Sequence, residues 1–115
     1  MTEIEITVPL QANLSGAEQI IEQRCMAEGL SVSLKGSLSK YPGCFHWHLK
    51  RDGQRGTLEI TLWASARRIF FSIHTGRTGA WIEETLFRLK HDLEKDLAAR
   101  AVAGTTSETI NRSPA

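Results

Sequence analysis

Cysteine and proline are scarce in this chain, with two of the former and three of the latter among 115 residues. Cys25 and Cys44 lie far apart and fit neither a CxxC pair nor a zinc-finger spacing, so no disulfide framework or thiolate metal site is expected. No apolar run approaches the roughly 18 residues that a membrane span needs. The opening MTEIEITVPL carries acidic residues and neither a basic nor a long apolar segment, so it does not read as a secretory signal. The expected compartment is therefore the cytoplasm, with both thiols reduced. An excess of one charge is missing too. A net charge of +1 gives no whole-molecule pull toward nucleic acid or an anionic membrane. Neither a Walker loop nor GxGxxG occurs, and no cofactor is expected.

What is present is ordinary globular composition, 41% hydrophobic and 23% charged, in a length that suits one domain with its own core. Residues 1–102 read as that domain and residues 103–115, small and polar, as a flexible tail. Ile4, Ile6 and Val8 alternate with polar residues in a first strand that Pro9 ends. Ser15-Gly16-Ala17-Glu18 reads as a capping box opening a helix that stops at Gly29, with Leu14, Ala17, Ile21 and Cys25 on one stripe. Four strands follow. Leu30, Val32 and Leu34 point inward in the first of them, then Phe45, Trp47 and Leu49, then Leu58, Ile60, Leu62 and Ala64, then Ile69, Phe71 and Ile73. A last helix begins near Thr78 or Gly79, with Ile82, Leu86, Leu89, Leu93 and Leu97 as its apolar stripe.

The order β-α-β-β-β-β-α describes an α+β two-layer sandwich. Short connections make the four strands an antiparallel meander, and two amphipathic helices cover one face of it. The first helix carries the chain across that face and leaves the first strand beside the fifth. Over residues 3–100 this element order resembles that of the TATA-binding-protein-like folds, including each half of that DNA-bending saddle. With both helices on one side, the second sheet face is left open; the resemblance is one of topology, and a shared fold assigns no function.

On that open face the stretch FHWHLKR displays His46, His48 and Lys50. The tightest hairpins set His48 opposite Glu59, His46 opposite Thr61 and Lys50 opposite Thr57, then Glu59 opposite His74 and Trp63 opposite Phe70. A row Lys35, His48, Glu59, His74 results, flanked by an aromatic pair beside Arg68. Two imidazoles and a carboxylate suit a metal or acid-base chemistry. Strand spacing holds His48 and His74 roughly 10 Å apart at the backbone, however, so cross-strand charge pairing is the expectation and no residue is assigned as a metal ligand or catalyst.

The aromatic pair carries the functional expectation. Trp63 and Phe70, with Arg68, His46, His48 and Lys50 around them, form a surface suited to a protein partner or to self-association. Phe87, off the last helix's apolar stripe, adds to the case for a homo-oligomer. The leading reading is thus a non-enzymatic binding or assembly module. The same cations and aromatics also suit nucleic acid, weakened by Glu59 in mid-face and Glu3 and Glu5 at its border. A small His/Glu metal protein or enzyme is the third reading. Arg77, Thr78 and Gly79, between the fifth strand and the last helix, form a possible anion site.

Overall fold

The computed structural model describes residues 1–112, with side chains over 1–101. The tail expected over residues 103–115 lies outside the residues whose side chains are described. The elements are β1 (Thr2–Glu5), α1 (Ala17–Ala27), β2 (Leu30–Gly36), β3 (Phe45–Arg51), β4 (Leu58–Trp63), β5 (Arg68–Ile73) and α2 (Ala80–Arg112). A 3-10 turn, Ala64–Ala66, joins β4 to β5, and a second, Thr75–Arg77, leads toward α2. The open sheet runs β1-β5-β4-β3-β2 and every neighbouring pair is antiparallel. The α+β class, the element order and the place of β1 beside β5 are all as the apolar periodicities require. Among the described residues no helix is long and apolar enough to cross a membrane.

One sheet face and the two helices share a single core. Trp47, Leu49, Leu58, Ile60, Leu62, Ile69 and Phe71 meet Ile21 and Cys25 of α1 and Leu86, Leu89 and Leu93 of α2. Burial pushes the Cys25 thiol up to about 12, which makes it a packing group and no nucleophile. Gly56 and Gly79 let the β3–β4 hairpin touch the start of α2. A Cβ on Gly79 would lie 2.0 Å from the Arg55 carbonyl oxygen, and that carbonyl accepts a hydrogen bond from Trp81 Nε1 at 2.7 Å.

Several local expectations are corrected. The capping box does not form: Gly16, left-handed at φ 80°, occupies the N-cap and no side chain caps α1. The Ser15 N–H instead donates to Asn13 Oδ1 at 2.8 Å. Glu18 turns to Lys35 of β2. In β2 the inward run breaks after Val32, because a bulge between Val32 and Leu34 shifts the register. One extra residue inverts a period of two. Leu34 then stands opposite His48, and Lys35 opposite Trp47. Lys35 thus leaves the histidine row for the helix side, where its ammonium pairs with Glu22 at 2.7 Å.

The β4–β5 hairpin is also two residues tighter than expected. Ala64 leaves the strand for the 3-10 turn and is exposed rather than core. Arg67 closes the turn at φ 55°. Its guanidinium donates to the carbonyls of Pro9 at 2.7 Å and Ala12 at 2.8 Å, which ties down a conformation that costs a non-glycine residue energy. Glu59 therefore faces Ser72, Thr61 faces Phe70 and Trp63 faces Arg68.

Candidate functional site

The sheet face away from the helices is partly roofed by the chain itself. The connection from β2 to β3, residues 37–44, folds back so that Tyr41 meets Trp63 at 4.9 Å and Phe70 at 5.5 Å between ring centroids. Trp63 Nε1 donates to the Pro42 carbonyl at 3.0 Å. Arg68 also lies over Phe70, 4.6 Å from its ring centre. Phe70 is consequently 1% exposed, and Trp63 is half-buried. The expectation of a bare aromatic pair is corrected, for a physical reason: a tyrosine in the hairpin loop satisfies both rings within the chain. The cations expected around that pair are engaged as well. Arg68 pairs with Glu5 and Lys35 with Glu18 and Glu22. Lys50 is exposed on β3.

What the loop leaves uncovered is a shallow basin of about 570 Å³, lined by Leu34, Leu38, His46, His48, Glu59, His74 and Arg77 among others. At its floor is the Glu59 carboxylate, whose side chain is 6% exposed. His46 and His48, two apart on β3, point to one side of the strand. Both Nε2 atoms approach Glu59 Oε1, at 3.0 and 3.7 Å. The His46 Nδ1 is 2.8 Å from the Thr61 hydroxyl, which is wholly buried on β4. His74 follows β5 and comes in from the far side. Its Nε2 lies 3.2 Å from Glu59 Oε2, beside Arg77 Nη1 at 3.4 Å. The 3-10 turn makes this possible, as Arg77 N donates to the His74 carbonyl at 2.9 Å and Thr57 N to the Arg77 carbonyl at 2.9 Å.

Burial pushes the His46 pKa down, and the neighbouring His48 and His74 add to that, while Glu59 pulls it up; lowering prevails. A neutral His46 with Nδ1 tied to Thr61 aims its Nε2 into the basin. That is the arrangement by which an outer hydroxyl fixes the ring of a metal-binding histidine. The three atoms His46 Nε2, His48 Nε2 and one Glu59 oxygen belong to a His46–His48–Glu59 group whose ligand atoms lie within 4.8 Å of one another. Ligands at about 2.1 Å from a common ion are separated by roughly 3.0–3.4 Å at octahedral or tetrahedral angles. The observed 3.0 and 3.7 Å bracket that range, and Leu34 and Leu38 form an apolar wall beside it.

Of the residues singled out in the sequence, His46, His48, Glu59, His74 and Arg77 converge, and Trp63, Phe70 and Arg68 form a separate covered cluster. Arg77, Thr78 and Gly79 do not come together as an anion site. Arg77 turns to Glu59, Thr78 is exposed and Gly79 packs on the Arg55 carbonyl. His91 and Phe87 are exposed on α2, as their places off the apolar stripe require. Hairpin register alone sets His46 opposite Thr61 and His48 opposite Glu59, and gives no sign that both rings reach Glu59. The available signal was the HxH alternation, which puts two rings on one side of one strand. Comparison with known proteins adds nothing to this geometry, as no family model, no curated protein and no solved structure matches the chain.

Proposed function

We propose that the protein binds a divalent first-row transition metal ion in the basin, through His46 Nε2, His48 Nε2 and the Glu59 carboxylate, with Thr61 orienting His46. The observation that carries this reading is the convergence of the His46 and His48 Nε2 atoms on one oxygen of a buried carboxylate, at 3.0 and 3.7 Å. Two imidazoles and a carboxylate on one side of an ion leave further coordination positions open toward solvent, and such a donor set suits zinc, iron, cobalt or nickel. His74, at 3.2 Å from Glu59 Oε2, stands on the other oxygen of the carboxylate and outside the three-residue donor group. The bound ion would also neutralise a carboxylate whose burial costs several kcal/mol when it lacks partners.

The test is a calorimetric titration of chelator-stripped protein with Zn²⁺, Co²⁺ and Ni²⁺ at neutral pH, and of Fe²⁺ without oxygen. One ion per chain is expected, with loss of binding in His46→Ala and Glu59→Gln. A tetrahedral or five-coordinate Co²⁺ absorption spectrum would accompany it. If none of the four ions binds at one per chain, or if Glu59→Gln binds as well as the parent, the reading falls.

A further inference from the structure

We infer that the metal-loaded basin takes a small aliphatic carboxylate, its head group shared between the ion and Arg77 and its chain laid against Leu34 and Leu38. This rests on the metal reading above and adds the class of ligand. Three observations carry it.

The first is charge. Glu59 is the one acid that lines the basin, against Arg77 and three histidines. A divalent ion on Glu59 makes the local sum positive and draws an anion. The second is the state of Arg77. Its side chain is 53% exposed, and Glu59 at 3.4 Å is the one carboxylate it reaches among the described residues. That distance is long for a charge-assisted bond. A metal ion competing for the Glu59 oxygens weakens it further, and the planar fork of the guanidinium then faces the basin with donors to offer. The turn that holds Arg77 is anchored through backbone bonds to His74 and Thr57, so the main chain that carries the guanidinium is held independently of the Glu59 contact.

The third is the wall. The β2 bulge turns Leu34 to the His48 side of the sheet, where it remains 48% exposed. Beside it, Leu38 is half-buried. Apolar surface at the lip of a cationic site favours an anion with a hydrocarbon portion over a bare inorganic oxyanion. An acetate-sized ligand has no chain to lay against Leu34 and Leu38, whereas a longer aliphatic carboxylate does.

The experiment loads the full chain with one Zn²⁺ and titrates hexanoate, acetate and inorganic phosphate in separate calorimetric runs, repeated on the Co²⁺ form to follow the absorption spectrum. Hexanoate is expected to bind one per chain and to shift the Co²⁺ bands. It should bind at least tenfold more tightly than acetate or phosphate, and at least tenfold more weakly to Arg77→Gln and to the metal-free protein. Arg77→Lys keeps the charge without the fork and should fall between. Arg77 is exposed, so these variants fold, and retained Zn²⁺ stoichiometry checks that. If Zn²⁺ binds but hexanoate does not, or binds no better than phosphate, or is indifferent to Arg77→Gln, the inference is overturned while the metal reading survives. If Zn²⁺ itself does not bind, both fall.

Discussion

Replacing Thr61 by valine tests the site at a residue that would touch no ligand. The side chain is wholly buried, and its hydroxyl has one ring nitrogen as partner, His46 Nδ1 at 2.8 Å. Valine keeps the branched shape and removes the oxygen. With His46 itself only 4% exposed, water cannot take the vacated place, so Nδ1 is left without a partner. That costs about 1–3 kcal/mol in the metal-free protein. Loss of an outer-shell partner also lowers metal affinity by about 10–100-fold, which is roughly 1.4–2.7 kcal/mol. Because an ion that binds the folded chain adds to its stability by mass action, the deficit of Thr61→Val should widen from about 1–3 kcal/mol in chelator to roughly 2–6 kcal/mol in saturating Zn²⁺. Urea unfolding followed by tryptophan fluorescence, with and without metal, measures both. Thr61→Ser restores the oxygen and should recover most of the affinity. A deficit of equal size in chelator and in Zn²⁺ would show that Thr61 supports the sheet and has no part in holding a ligand.

Other consequences can be measured on the same protein. Gly79→Ala would drive a Cβ to 2.0 Å from the Arg55 carbonyl oxygen. Backbone atoms on both sides must move, so a loss of about 3 kcal/mol or more in urea unfolding is expected; an unchanged midpoint would contradict the close crossing. Tyr41→Ala removes two ring contacts and uncovers Phe70, for a loss of about 2–3 kcal/mol. It should also raise binding of an apolar dye, and if dye binding stays flat the loop does not roof the sheet. The Arg24 guanidinium, bonded to Asp96 at 2.7 Å through two nitrogens, holds the Asp96 carboxyl below its ordinary pKa. A carboxylate depressed on folding stabilises above its unfolded pKa of about 3.9 and loses that contribution as pH falls through the folded value. Arg24→Gln should therefore shallow the acid limb of a stability-pH curve below about pH 4 and leave pH 7 lower by under about 1 kcal/mol, given how exposed the pair is. An acid limb identical to the parent's would refute it.

The architecture was legible because its determinants are repetitive. Trp47 and Leu49, Leu58, Ile60 and Leu62, and Ile69 and Phe71 mark one face at a period of two, and Leu86, Leu89, Leu93 and Leu97 mark a helix stripe; all of these are buried. Short connections leave an antiparallel meander as the arrangement. The β3–β4 register followed from hairpin length, and His48 does stand opposite Glu59. What escaped depends on single residues that break a period. The bulge after Val32 exchanges the faces of Leu34 and Lys35, and nothing in SVSLKG announces an unpaired residue. The left-handed Arg67 tightens the β4–β5 hairpin through bonds to Pro9 and Ala12, contacts more than fifty residues distant in the chain.

The same two irregularities decide the site. A flat lattice of strands keeps His48 and His74 roughly 10 Å apart, and on that lattice cross-strand pairing at about 0.2–1 kcal/mol per pair explains the row. The tighter hairpin instead puts Ser72 opposite Glu59 and carries His74 past the strand end, where the 3-10 turn brings its ring to 3.2 Å from Oε2. Burial then changes the energetics. A carboxylate with a side chain 6% exposed bears a desolvation cost of several kcal/mol, which its four close partners must offset. Arg77 is its one permanently charged neighbour, at 3.4 Å, and burial favours the neutral form of His46. A neutral His46 contributes a hydrogen bond and no charge. A divalent ion held as proposed by His46, His48 and Glu59 would add full positive charge beside that carboxylate, where the three donor groups converge.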